Sequence, residues 1–296
     1  MGILTVVIGI VFVLLLLSLL ATTIMELLAS FFHLRGRNLT KALRNMLASS
    51  DDSEQLLNDF KNNSLYKHLS QQYSKSKQGP PSYIDAQTFQ SILFDIILKG
   101  EGIDQLKDKI DALPDPDLKN VLNQLLNDAD NELDLFKVNI EKWYGDVMDR
   151  ASGWYKRYTQ KILIWLGILI ALVFNADTFS IYENLSSDPE TLQALVTSAE
   201  NYVAANDGET LNIEKNENFD QSLSALKGLL NEEIKSIESP LGLGWEKMDF
   251  TTFDSYDWVA KILGWLVTAL AISLGAPFWF DLLRKMVNVR SSGVKP

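Results

Sequence analysis

The chain has 296 residues, 47% apolar and 22% charged, with a net charge of −11. It has no cysteine and only two histidines, His33 and His68, which excludes disulfides, thiol nucleophiles and cysteine-ligated metal sites. The acidic balance argues against a nucleic-acid binder. Three charge-free apolar runs, 3–21, 162–176 and 262–280, exclude a single soluble domain.

The first run, ILTVVIGIVFVLLLLSLLA, stays apolar to Leu34. A helix of some thirty residues reaches about 45 Å, against a hydrocarbon core of about 30 Å. No basic leader precedes it and no A-x-A site follows, so residues 1–34 read as a retained span. Glu26 lies near the inner end of this span. An intramembrane carboxylate costs roughly 3 kcal/mol at mid-bilayer and less at the interface. Glu26 is therefore expected to face protein or water. Pairing with Arg35, Arg150 or Arg157 is the favoured reading, and a cation- or proton-linked site the sharper one.

Residues 35–157 read as a helical cytoplasmic domain. Ile24, Leu28, Phe31, Leu39, Leu43, Met46 and Leu47 keep near-helical spacing and predict a helix running on to Ala48. Asp51-Asp52-Ser53 offers caps for a helix bearing Leu56, Leu57 and Phe60. Residues 74–82, SKSKQGPPS, read as a polar loop. Asp85 caps a helix bearing Phe89, Ile92, Leu93, Ile96 and Ile97, ended by Gly100 and Gly102.

From 115 to 174 one apolar stripe continues in steps of three and four. It includes Leu118, Leu122, Leu125, Ala129, Leu133, Phe136, Ile140 and Trp143. Only Gly145 and Gly153 offer bends, so the spacing predicts a rod of roughly 90 Å running into the second span. Asp128-Ala-Asp130-Asn-Glu132 resembles the start of a calcium loop. Leu133 and Asn139 stand where such a loop needs glycine and glutamate, so the segment reads as a helix face.

The second span covers 158–176. Arg150, Trp154, Tyr155, Lys156 and Arg157 precede it and combine belt aromatics with a basic cluster. They read as interface anchors, with lipid headgroup or partner contact as an extension. Residues 177–257 carry 17 Asp/Glu against 4 Lys and read as an acidic, helical extracytoplasmic domain. Ser187-Asp-Pro-Glu190 starts one helix, bearing Leu192, Leu195, Val196, Ala199 and Tyr202. Phe219, Leu223, Leu226, Leu230, Ile234 and Ile237 line a second, stopped by Pro240. The two are expected to form a hairpin covered by residues 240–245, with a short strand at 209–214.

The third span covers 258–281. Gly264, Thr268, Ala271 and Gly275 share one face, which suits close helix packing. Pro277 removes an N–H and frees the Ser273 carbonyl, so Gly275–Pro277 breaks the helix. A bent pore-lining element is the alternative reading of that break. Asp281 sits just ahead of Arg284 and Lys285, and 282–296 forms a basic tail. With three spans, twelve Lys and Arg near their ends fall on one side, against Lys247 and Lys261 on the other. The positive-inside rule then places the N-terminus outside and the C-terminus in the cytoplasm.

Four blocks are distinctive together: TTIMELLASFFHLRGRNLTKALRNML, PSYIDAQTF at 81–89, MDRASGWYKRYTQ at 148–160 and SLGAPFWFDLLRKMVNVRSSGVKP at the end. In them the chain resembles a widespread group of bacterial inner-membrane proteins to which no activity is assigned. The resemblance implies a cell-envelope protein with three spans, and it carries no activity, substrate or catalytic residue over to this chain.

The sequence thus predicts an all-α integral membrane protein. It has three transmembrane helices, a long amphipathic helix continuous with the second, and a small helical outer domain. Its expected partners are the lipid bilayer and further copies, or another membrane or cytoplasmic protein. No catalytic motif or cofactor site is expected. The leading function is a non-enzymatic anchor or scaffold subunit. The alternative is an oligomeric pore with Glu26 and the Gly275–Pro277 bend at its path.

Overall fold

The computed structural model describes residues 2–48, 54–70, 72–74, 77–206, 219–234, 243–245 and 254–293. The described residues are almost entirely helical. Two helices, Ile3–Phe31 and Ser255–Ser273, are long and apolar enough to cross a membrane. A third such element exists if Leu133–Val173 and Thr178–Ser187, bent by 49°, count as one. The chain divides into two compact units, 32–157 and a second made of 1–31 with 158–296.

In unit 32–157 the elements are α2 (Leu34–Leu47), α3 (Glu54–Asn62), α4 (Ser64–Leu69), α5 (Ala86–Leu98), α6 (Leu106–Asp111), α7 (Pro116–Asn127) and the first part of α8 (Leu133–Val173). A two-stranded antiparallel ladder, Gln72–Ser74 with Lys77–Gln78, occupies part of the expected loop. The Asp51–Ser53 caps lie outside the described residues.

The core of this unit holds an aromatic cluster among aliphatic side chains. Phe89 stacks on Tyr144 with ring centroids 4.3 Å apart and meets Phe60 at 5.4 Å. The Tyr144 hydroxyl donates to the Ile84 carbonyl at 2.8 Å, and burial pushes its pKa well above the ordinary phenol value. Next in sequence, Asp85 caps α5, accepting from the Thr88 N–H and hydroxyl at 2.8 and 2.7 Å. The 81–89 block is thus a clasp. It holds a tyrosine, starts a helix and supplies Phe89 to the core.

Two predicted continuous helices are broken. The helix expected to run to Ala48 stops at Phe31, where His33 adopts a left-handed conformation, φ 51°. Leu39, Leu43 and Leu47 serve the core of unit 32–157, whereas α1 (Ile3–Phe31) serves the other, so α2 needs its own phase. The predicted rod from 115 is interrupted at 128–132. Asp130 and Asn131 are both left-handed, φ 50° and 61°, and Asn131 N–H closes on the Leu126 carbonyl at 3.1 Å. Asp and Asn tolerate that region better than other side chains. The calcium-like segment is therefore a turn, not a helix face. It leaves α8 at 41 residues, roughly 60 Å.

In the other unit α1 is central. Ile8, Phe12, Val13, Leu15, Leu16, Leu17 and Leu20 are all buried. Around it pack α9 (Thr178–Ser187), α10 (Pro189–Ala205), α11 (Phe219–Gly228) with a π-helical end to Ile234, α12 (Ser255–Ser273) and α13 (Ala276–Gly293). A helix that is apolar all round must be sheathed by protein or lipid. Here 67% of its most apolar window is buried by its own chain, against 28% for α12.

This changes the expected outer domain. Instead of chiefly facing each other, α10 and α11 both lay their apolar faces on α1, which offers a larger apolar surface than another amphipathic stripe. Leu185, Leu192 and Leu195 close over Gly9, leaving no room for a side chain there without displacement. Tyr202 of α10 meets Phe280 of α13 at 6.2 Å, and Glu200 pairs with Arg290 at 3.1 Å. The sequence reading places Glu200 in the outer domain and Arg290 in the cytoplasmic tail; in the structure they pair. The expected strand at 209–214 and the stop at Pro240 lie outside the described residues.

The Asp85 cap supports a direct prediction. Its hydrogen bonds from Thr88 hold its pKa below the ordinary carboxylate value. Asp85→Ala is expected to cost unit 32–157 about 1 kcal/mol at neutral pH. A lowered native pKa adds stability above the unfolded value and loses it as pH falls through the native one. Thermal melts of both proteins should therefore differ at pH 7 and converge in acid.

Candidate functional site

The most concentrated buried polar chemistry lies where α8 gives way to α9. The chain turns there because α8 ends in a Schellman motif. Asn175 is left-handed at φ 46°, the Ala176 N–H reaches the Ala171 carbonyl at 2.8 Å, and the Asn175 N–H reaches Leu172. Asp177 then caps α9, accepting from the Phe179 N–H and the Ser180 hydroxyl, each at 2.9 Å. One carboxylate starts the helix and faces the unit's interior at once.

The other wall is α12. Lys261 Nζ lies 3.3 Å from Asp177 Oδ2, with side chains only 10% and 5% exposed. Among the described residues this is the only ion pair with both partners buried. Lys261 also reaches the Ser180 hydroxyl at 3.4 Å. One turn on, Gly264 sits so close that a Cβ would run into the Asp177 carboxylate. Thr268 accepts the Thr178 N–H at 3.1 Å and donates to the Gly264 carbonyl at 2.9 Å.

Trp265 and Asn175 extend this seam. The Trp265 indole donates to the Asn175 side chain at 3.2 Å, and Asn175 donates to the Gly244 carbonyl at 2.9 Å. The Gly244 N–H returns to the Phe174 carbonyl at 2.7 Å. Trp245 donates to the Leu172 carbonyl and packs on Trp265 at 5.7 Å. Such a network fixes the register of α12 on the α8–α9 bend. In a low dielectric it does so strongly, because each partner left alone is an uncompensated buried charge or dipole.

The predicted site residues separate. Arg150 and Trp154 line one groove of about 270 Å³ in unit 32–157, with Met46, Asp117 and Trp143. Tyr155 is half-buried, and Lys156 and Arg157 are exposed. Glu26 is buried on α1 and engaged by a partner. Asp281 is exposed and pairs with Arg284 at 3.3 Å.

At the break, Gly275 is left-handed at φ 86° and α13 begins just before Pro277. The Ser273 carbonyl freed by Pro277 accepts from the Gln160 amide at 2.8 Å, and the Ala271 carbonyl accepts from the Trp279 indole at 2.7 Å. The break is therefore closed by side chains. Nearby, the backbone of Ala269 lies against Gly167, another close approach of two helices.

Sequence reasoning missed the Asp177–Lys261 pair. That reading places Lys261 among the flanking cations. A signal existed: the first acid after the second run and the last cation before the third take mirrored places in an antiparallel pair, with glycine one turn beyond. Among the described residues no group of three or more His, Asp or Glu is placed to hold a metal ion. Comparison with protein-family models, curated proteins and solved structures finds no match.

The seam makes a testable claim about pairing. Lys261→Met is expected to destabilise the detergent-solubilised protein by about 3 kcal/mol, because it leaves the Asp177 side chain buried without its partner. Adding Asp177→Asn keeps the helix cap, removes that charge and should recover most of the loss. Thermal midpoints of the two single variants and the double variant provide the check.

Proposed function

We propose that the protein is a non-enzymatic membrane anchor and scaffold, working as several copies or on a partner subunit in a bacterial inner membrane. The observation that carries this reading is the inverted polarity of α12. Its buried positions include Lys261, Gly264 and Thr268. Beyond its first turn its exposed positions are apolar, namely Val259, Ile262, Leu263, Leu266, Val267 and Leu270. The end of α8 repeats the pattern, with Trp165 72% exposed and Leu169, Leu172 and Val173 on the same face.

In water such a helix pair is inside out, since an exposed apolar face of this extent marks an interaction surface. In a bilayer it is the stable arrangement, with polar groups turned to protein and apolar ones to lipid or neighbouring helices. The basic flanks favour a cytoplasmic location for unit 32–157, whose chain enters after α1 and leaves through α8. The resemblance in the four sequence blocks points the same way. The bonded break at Gly275–Pro277 favours packing over gating.

Two measurements test the assembly. The complex extracted gently from its membrane should have a mass of several copies, or include a defined second protein. The chain has no cysteine, so single introduced ones report cleanly. Leu169→Cys and Leu266→Cys on the outer face should cross-link between copies, whereas Ile272→Cys, on the buried face, should not. A monodisperse monomer with no co-purifying protein and no cross-links would count against the proposal.

A further inference from the structure

Unit 32–157 contains a pocket of about 510 Å³ between α2, α3, α4 and the Gly79-Pro80 segment. Its lining includes Arg37, Lys61 and Lys67, with Thr40 and Tyr66, and among the described residues contains no carboxylate. In a chain with 38 acidic and 27 basic residues, that local balance is unusual. Among the described residues none of the three cations has an ion pair, although nearby Arg44 pairs with Glu54 at 3.0 Å. Lys61 is partly buried, and desolvation together with Arg44 lowers its pKa despite the opposing pull of Glu54.

The walls are held in place. Gly36 of α2 sits against Pro80, whose carbonyl oxygen would be 2.6 Å from any added Cβ. Asn63 caps α4, accepting from the Leu65 N–H at 2.9 Å, and ties it to α5 by donating to Asp95 at 2.7 Å. Tyr66 is buried edge-on against Phe60. Three cations on one lining with no carboxylate among them form a set that a bound anion would neutralise.

We propose that this pocket binds a ligand carrying a phosphate monoester. Three cations match a group that is close to a dianion at neutral pH, and the fixed fork of Arg37 suits two of its oxygens. A phosphodiester carries a single charge and uses the site less fully. Arg37 lies six residues after Phe31, the last residue of α1, so the monoester can come from a lipid headgroup or from a soluble compound. This inference is independent of the scaffold reading.

The test uses the full chain in nanodiscs. In zwitterionic discs, inorganic phosphate and glycerol 3-phosphate are titrated by calorimetry. In parallel, retention of phosphatidic acid and of phosphatidylglycerol is compared by native mass spectrometry. Binding in the first arm identifies a soluble ligand, and selective retention of phosphatidic acid identifies a lipid one. In either case Arg37→Gln and Lys61→Gln should each weaken binding about tenfold, and Lys107→Gln, exposed on α6, should leave it unchanged. Removing Lys61 relieves its repulsion with Arg44, so its thermal midpoint should not fall; exposed Arg37 gives a second variant if it does. The proposal is overturned if no monoester binds, if Lys107→Gln weakens binding equally, or if phosphatidylglycerol is retained as well as phosphatidic acid.

Discussion

The Asp177–Lys261 pair constrains much of the unit built on α1. Two opposite charges held away from water require a fixed geometry, and here the carboxylate is itself fixed by its duty as the cap of α9. The direction of α9 after the bend, the register of α12 and the absence of a side chain at position 264 follow from one contact set. Thr268 and Trp265 complete that set with neutral bonds, so no polar group at the bend depends on the ion pair alone. Surface pairs such as Lys137–Asp134 impose no comparable constraint, because solvent screens them and either partner remains hydrated without the other.

What the sequence made legible is what local chemistry decides. Asp85 followed by a 3.6-residue apolar rhythm starts a helix in any context, and it does so here. Pro277 frees the carbonyl at 273 as a matter of covalent structure. Its recipient, Gln160, lies on another element and carries no local sign of that role. The turn at 128–132 escaped notice for a specific reason. Leu125, Ala129, Leu133 and Phe136 remain in step across it, so the apolar rhythm survives although the helix does not. Only the Asp130-Asn131 dipeptide, tolerant of left-handed backbone, betrays the interruption.

The role of α1 was hidden differently. A helix apolar on every side carries no directional information, so its sequence cannot say whether lipid or protein surrounds it. The answer lies in α10, α11 and α13, whose single apolar faces each need a partner surface. They find it on one central helix, and the Glu200–Arg290 pair then joins two of the sheathing helices directly. The same logic separates the two units. Phe89, Phe60 and Tyr144 share a core with Leu43, Leu57, Ile92 and Leu93, whereas the side chains of α1 share theirs with Ile181, Leu185, Leu192 and Val196.

The inverted polarity of α12 has a consequence for biogenesis. A nascent segment bearing Lys261, Thr268 and Gly264 is a poor candidate for release into lipid by itself. It becomes acceptable when the bend at Asp177 is already in place to receive it. Synthesis runs in the favourable order, since α8 and α9 leave the ribosome before α12. A chain whose second apolar segment is deleted would thus present the third to the insertion machinery with its lysine unanswered, and its partition would shift toward the aqueous side.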